Sequence, residues 1–243
     1  MRQRLAAVPV DRMHLVLMLA LTFGTGIVDA VGYLGLDRVF TGNMTGNVVI
    51  LGMALVGADG LPVLGPTLAL LGFLAGAAVG GRVLKRAGAG WTARTTVLFG
   101  VVGLVMVALA ALILALDDGL PHLLALVVTT LLGAVMGTQA ATARFLAVKD
   151  VTTVVVTSTI TGLAADSVLG SGKGGGSGRR AAAVLLILAG ATVGAALLEW
   201  HLGAGLVAAG AVVLSATAVG AAHQRLSDPA VAPASSATST DRA

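Results

Sequence analysis

The sequence predicts an all-α polytopic membrane protein: six transmembrane helices plus two re-entrant or broken helices, arranged as an inverted-topology internal repeat. Three observations carry this expectation. Hydrophobic residues fill 57% of the 243 positions and charged residues 11%, whereas soluble domains carry about 25% charge. The apolar residues fall in long runs, such as 97–116, and about 20 such residues span a hydrocarbon core roughly 30 Å thick. The basic residues gather between those runs, as the positive-inside rule requires.

Composition also excludes several functions. The chain has no cysteine, which removes disulfides, thiolate metal sites and cysteine nucleophiles. Its net charge is +4, yet no basic face is interleaved with aromatics, so nucleic acid is not an expected partner. The four histidines (His14, His122, His201 and His223) lie at segment ends without metal-ligand spacing, and no metal or cofactor is expected. An intramembrane enzyme needs a nucleophile–base set or a metal cluster. The apolar runs supply no histidine, cysteine, glutamate or lysine for one, so no catalytic residue is assigned. The expected partners are the lipid bilayer, a small-molecule or ion substrate and a second copy of the chain.

Taken in order, residues 1–14 form a cytoplasmic N-terminus. Arg2, Arg4 and Arg12 precede the first apolar run as in a signal peptide, but further membrane segments follow, which favours a retained first helix. Apolar segments then cover 15–36, 39–57, 61–84, 95–116, 123–148, 151–165, 181–198 and 202–222. Residues 15–116 make the first membrane repeat and 117–222 the second, which includes a flexible Gly/Ser linker at 167–180. Residues 223–243, rich in Ala, Ser, Thr and Pro, read as a disordered cytoplasmic tail.

Charge counting tests whether all eight segments cross. Eight crossings with an inner N-terminus leave eight basic residues inside and seven outside, which is no bias. If segments two and six enter and leave by the same side, 14 lie inside and one, Arg38, outside. The second arrangement obeys the positive-inside rule. Segment six has 15 residues, short of the usual 17–25 for a span. Segment two opens with a polar stretch at 41–47. Residues 74–81 and 188–195 are identical at six of eight positions, at an offset of 114. At an offset of 110, Asp29-Ala30 faces Gln139-Ala140. Each half crosses three times in this scheme, so the halves are oppositely oriented.

The candidate substrate-binding residues are Asp29, Thr41, Asn43, Thr45, Asn47, Gln139, Thr157 and Thr161. Asp29 is the one carboxylate well inside an apolar run, about 5 Å outward of the centre of its span. Ionisable groups at that depth mark pathways or proton relays; a structural pairing is the blander reading. Gln139 sits about 5 Å inward of the centre of the fifth span, where a helix-to-helix hydrogen bond is the alternative. Thr41-Gly42-Asn43-Met44-Thr45-Gly46-Asn47 suits broken backbone lining a cavity, with Asn and Thr replacing lost backbone partners. A helix starting near Asn47 points free N–H groups into that cavity. Thr152, Thr157, Ser158, Thr159 and Thr161 match it in the second half. Arg144 and Lys149 read as interfacial, and the four-spaced glycines 72, 76, 80, 190 and 194 as helix packing.

Gly26-x-x-Asp29-Ala30, Phe40-Thr41-x-Asn43-x-Thr45-Gly46-Asn47, Gly137-x-Gln139 and a Thr-rich segment ending Thr161-Gly162 resemble the YoaK family of bacterial membrane proteins, a domain of unknown function. The resemblance covers about 15–222. It departs at Ala140, where Asn is expected, and at Ser158, where Gly is expected. It implies a bacterial plasma-membrane setting and no substrate; the cytoplasmic placement of both termini rests on the 14-to-1 charge count. The residues themselves point to a small secondary transporter for a small polar or anionic solute, with proton coupling through Asp29. A channel or passive facilitator and a non-transporting accessory protein are the alternatives.

Overall fold

The computed structural model describes residues 5–116, 119–148, 156–168, 170–172 and 176–227. Among them the chain forms eight α-helices of ten residues or more: α1 Val10–Gly35, α2 Met44–Ala54, α3 Leu64–Leu84, α4 Ala93–Leu114, α5 His122–Leu146, α6 Val156–Ala165, α7 Ser177–Leu198 and α8 Leu202–Ser227. Six are long and apolar enough to cross a membrane; α2 and α6 are not. Large apolar side chains such as Val97, Leu104, Leu185 and Leu188 face outward, as a lipid solvent allows.

Local sequence explains the boundaries. Thr92 caps α4 reciprocally with Thr95, satisfying two helix-end donors. Asn43 caps α2 by accepting from Gly46 N–H at 3.2 Å. This cap starts α2 three residues before the expected Asn47. Further boundaries differ from expectation. Helix α1 begins at Val10 rather than 15, after Pro9, so the last part of the expected N-terminal arm is helical. Helix α8 continues to Ser227, taking in the first residues of the expected tail; 228–243 lie outside the described residues. The linker is helical from Ser177, and its Lys173 is not described. Thr152 and Lys149 also fall outside the described residues.

Glycine seams hold the bundle together. A Cβ on Gly76 of α3 would lie 1.8 Å from Ala134 O of α5, and one on Gly72 2.3 Å from Thr130 O. Helix α5 answers with Gly133 against Ala69 and Gly137 against Phe73. On the other flank, Gly190 and Gly194 of α7 meet Phe23 and Ile27 of α1, and Gly26 of α1 meets Ile187. Without side chains the helices approach backbone to backbone, and Thr138 Oγ1 donates across the first seam to Gly76 O at 3.1 Å.

The contacts fix the path of the chain. Val8, His14, Trp91, Gly220 and His223 meet at one end, here the basal end. His223 Nε2 lies 2.9 Å from Val8 O, and the Trp91 ring occupies the space beside Gly220. Gly35, Leu114, Leu198 and Leu202 meet at the far end, where a Cβ on Gly35 would strike Leu202 and one on Gly203 would strike Leu114. Helix α1 therefore finishes at the far end. The chain then turns back at Asp37 and Arg38, both in the left-handed region (φ 60 and 58). Residues 39–43 descend along α1: Val39 O lies beside Gly32 and Gly42 beside Thr25. Helix α2 climbs out again, and α3 starts at the far end with Val39 against Gly65. The segment between α1 and α3 enters and leaves by one end. Helix α5 finishes and α7 begins at the basal end, so α6 also belongs to a segment that returns to its own side.

Candidate functional site

The polar cluster at mid-bundle is built from α1, the descending loop and α5. Asp29 projects from α1 about 9 Å below the helix end. Its Oδ1 accepts three consecutive backbone N–H groups, from Thr41 at 3.1 Å, Gly42 at 2.7 Å and Asn43 at 3.2 Å. Three donors converging on one oxygen make an anion-binding nest, and the first turn of α2 follows immediately with its positive dipole end. The carboxylate is 9% exposed.

Gly42 is required here by space. A Cβ on it would stand 3.0 Å from Thr25 Cγ2, 3.0 Å from Met136 Cε and 3.3 Å from Asp29 Oδ1. Asn47 ties the two limbs of the hairpin together. Its Oδ1 accepts from Phe40 N–H at 2.8 Å, and its Nδ2 donates to Phe40 O. One amide thus satisfies both backbone groups of a residue that has no helix or sheet to do so. Phe40 stacks on Tyr33 with ring centroids 4.8 Å apart, and Gly46 leaves room for its ring.

Gln139 reaches the same cluster from α5. Its Nε2 donates to Thr25 Oγ1 at 3.2 Å, and Thr25 in turn donates to Leu21 O at 3.0 Å. Gln139 Oε1 and Thr41 Oγ1 are buried and have no hydrogen-bond partner among the described residues. Such groups are costly at membrane depth, so two of them in one cluster mark a place for polar company.

Of the sequence-selected residues, Asp29, Thr41, Asn43, Asn47 and Gln139 come together. Asn43 contributes through its backbone and its cap, with its side chain at the exposed surface. Thr45 is exposed on α2, and Thr157 and Thr161 are exposed on α6. Helix α6 packs on α7 and on no other described helix. Thr161 Oγ1 bonds its own helix at Thr157 O, 2.9 Å away. Helix α6 is anchored instead by Arg180 of α7, which donates to Gly162 O at 2.8 Å and pairs with Asp166 at 2.6 Å. Sequence reasoning passed over Thr25 and Met136, and named Gly42 only as part of the broken-backbone run, without its place against them. A threonine one turn before the buried Asp29 was the available signal for the first. The other two depend on the loop's descent.

Fold and site together define an all-α, multi-pass membrane protein with a broken helix inserted beside a buried carboxylate. The chain belongs to the DUF1275 family of proteins of unknown function, which matches residues 17–220. It is similar to the UPF0700 transmembrane protein YoaK of Bacillus subtilis (strain 168), 31% identical over 156 residues, 64% of this chain and 67% of that protein. No solved structure matches the chain.

Proposed function

We propose that this protein is a small secondary transporter of the bacterial plasma membrane, moving a small polar or anionic solute with proton coupling through Asp29. The observation that carries the reading is the re-entrant limb 39–54, whose N–H groups end at mid-bundle on Asp29 Oδ1. Broken helices with N-terminal ends facing the interior hold small solutes near the midplane in secondary transporters. Asp29 is also the lone acidic side chain in the apolar stretch of α1, and such groups serve as proton relays.

The helix contacts favour an inverted repeat. Exchanging α1 with α5, α2 with α6, α3 with α7 and α4 with α8 maps each packed helix pair onto another: α3–α5 onto α1–α7, α4–α5 onto α1–α8, α2–α3 onto α6–α7. The basal end carries a cleft of about 450 Å³ lined by Arg82, Lys85, Arg86 and Arg94, which supports its lying in the cytoplasm with both termini.

Two experiments test this. Single cysteines at Gly88 and Gly119, in a chain that has none, are probed on cells with an impermeant thiol reagent. Gly119 labels and Gly88 does not; the reverse pattern overturns the orientation. Proteoliposomes loaded with a pH dye are then offered amino acids, small organic acids and sugars. Saturable solute uptake with proton entry is expected, and Asp29→Asn keeps exchange while losing proton-driven accumulation. Non-saturating flux points to a passive facilitator. No flux of any solute overturns transport.

A further inference from the structure

The nest formed by Thr41, Gly42 and Asn43 is an anion site already filled by the chain's own anion. Three N–H groups converge on Asp29 Oδ1, and among the described residues no basic side chain bonds or pairs with it. Between residues 123–143 of α5, 181–198 of α7 and 202–222 of α8 there is no acidic, basic or histidine side chain, nor is there one in α2. Among the described residues, the partners of Asp29 Oδ1 are these three backbone N–H groups. A second observation points to a ligand. Thr41, whose N–H belongs to the nest, is 0% exposed and its hydroxyl has no partner among the described residues, and the same holds for Oε1 of Gln139, a residue 1% exposed. A carboxyl that keeps its proton needs an acceptor, and Gln139 offers an unmatched buried oxygen on an amide bound to Thr25, one turn below Asp29 on α1. An incoming anion with a second oxygen needs one more donor, and the Thr41 hydroxyl is that donor.

Resting on the transport reading above, we infer that the solute is a small monovalent carboxylate that takes Asp29's place on the 41–43 N–H groups when Asp29 is protonated. The exchange is balanced. One proton goes to Asp29, one carboxylate enters the nest, and the charge held by the three N–H groups is unchanged, so movement is one proton with one anion and electrically neutral. Size is limited by the packing around Gly42, where even a methyl group would crowd Thr25, Met136 and Asp29. Formate is therefore the first probe, and acetate, larger by a methyl group, tests the size limit.

Opening the nest tests the idea without requiring transport. Purified Asp29→Ala is melted with increasing sodium formate or acetate, with chloride as the ionic-strength control. The expected result is a saturable rise in Tm of about 5 °C at full occupancy, absent in wild type at neutral pH because Asp29 fills the site. If Asp29→Ala does not yield folded protein, Asp29→Asn carries the same test, because its neutral carbonyl is a weaker acceptor that formate displaces. Adding Gly42→Ala to either variant should abolish the response. A formate response shared equally by wild type, or missing from both Asp29 variants, overturns the inference. The two readings fail separately. Formate rescue without uptake in proteoliposomes keeps the anion site and removes transport. Uptake of a neutral solute without formate rescue keeps transport and removes the anion site.

Discussion

The two short segments of this protein have the same place in the chain and opposite relations to the core. The first, 36–54, descends beside α1 and is bound at mid-depth by Asp29, with Asn47 closing its hairpin. The second carries α6, whose Thr157 and Thr161 face outward, whose Thr159 is buried, and whose described contacts run to α7, where Arg180 anchors it. In the first half a side chain of the long helix satisfies the backbone of the short one. In the second, the polar residue inside the long helix is an amide, Gln139, which bonds Thr25 and leaves its carbonyl oxygen unmatched among the described residues. The carboxylate gathers three N–H donors on one oxygen, and the amide oxygen gathers none of the described donors. The difference teaches that two short segments in like places along the chain need not build equivalent sites.

The largest effect should come from the seam that both halves need. Gly190→Leu places a side chain where a Cβ alone would be 2.0 Å from Phe23 O. Overpacking of this kind costs about 3 kcal/mol or more, and monodisperse protein should vanish in size-exclusion chromatography. Gly81→Leu, with open space around its Cβ, should elute as wild type. A normal profile for Gly190→Leu would break the glycine-seam account.

Next in size is Asn47→Ala, which strands the N–H and C=O of Phe40. Losing both partners should cost about 2–4 kcal/mol, read as a lowered Tm. In the second short segment, Thr161→Ala should change stability by less than about 0.5 kcal/mol. Equal losses from the two would show that the second segment is as tightly built as the first.

Arg180→Ala tests the anchor of α6. The pair is partly exposed, with side chains 15% and 34% accessible, so solvent screening holds the loss to about 1 kcal/mol or less. Hydrogen exchange should quicken in 156–168 and stay unchanged in 44–54. Faster exchange in both segments would mean that the halves are coupled, and the comparison would need redrawing.

Much of the architecture was legible without coordinates, for a physical reason. Lipid offers no hydrogen bonds, so long apolar runs must be helices and their lengths mark the spans. Basic side chains pile up on one side, so the charge distribution distinguished six crossings from eight. The four-spaced glycines signalled close packing because a helix brings such residues onto one face. Asp29 and Gln139 stood out because polar side chains inside such runs are costly. The run 41–47 announced broken backbone through its Gly and Asn content.

Tertiary structure decided the rest, because hydrogen-bond partners far apart in sequence leave no periodic trace. Sequence placed Asp29 and residues 41–43 in one half, yet only the reversal at Asp37 and Arg38 brings three N–H groups onto one carboxylate oxygen. The roles of Gly42 and Met136 follow from the depth of that descent. Composition treated the threonines of 157–161 as equivalent to those of 41–45. The fold divides both groups, burying Thr41 and Thr159 and exposing Thr45, Thr157 and Thr161, because a threonine such as Thr161 can satisfy its hydroxyl within its own helix, at Thr157 O, and then has no need of the core. What the sequence determined was which groups are expensive to bury; what only the tertiary structure decided was which of them satisfy one another, since that depends on where the backbone turns back.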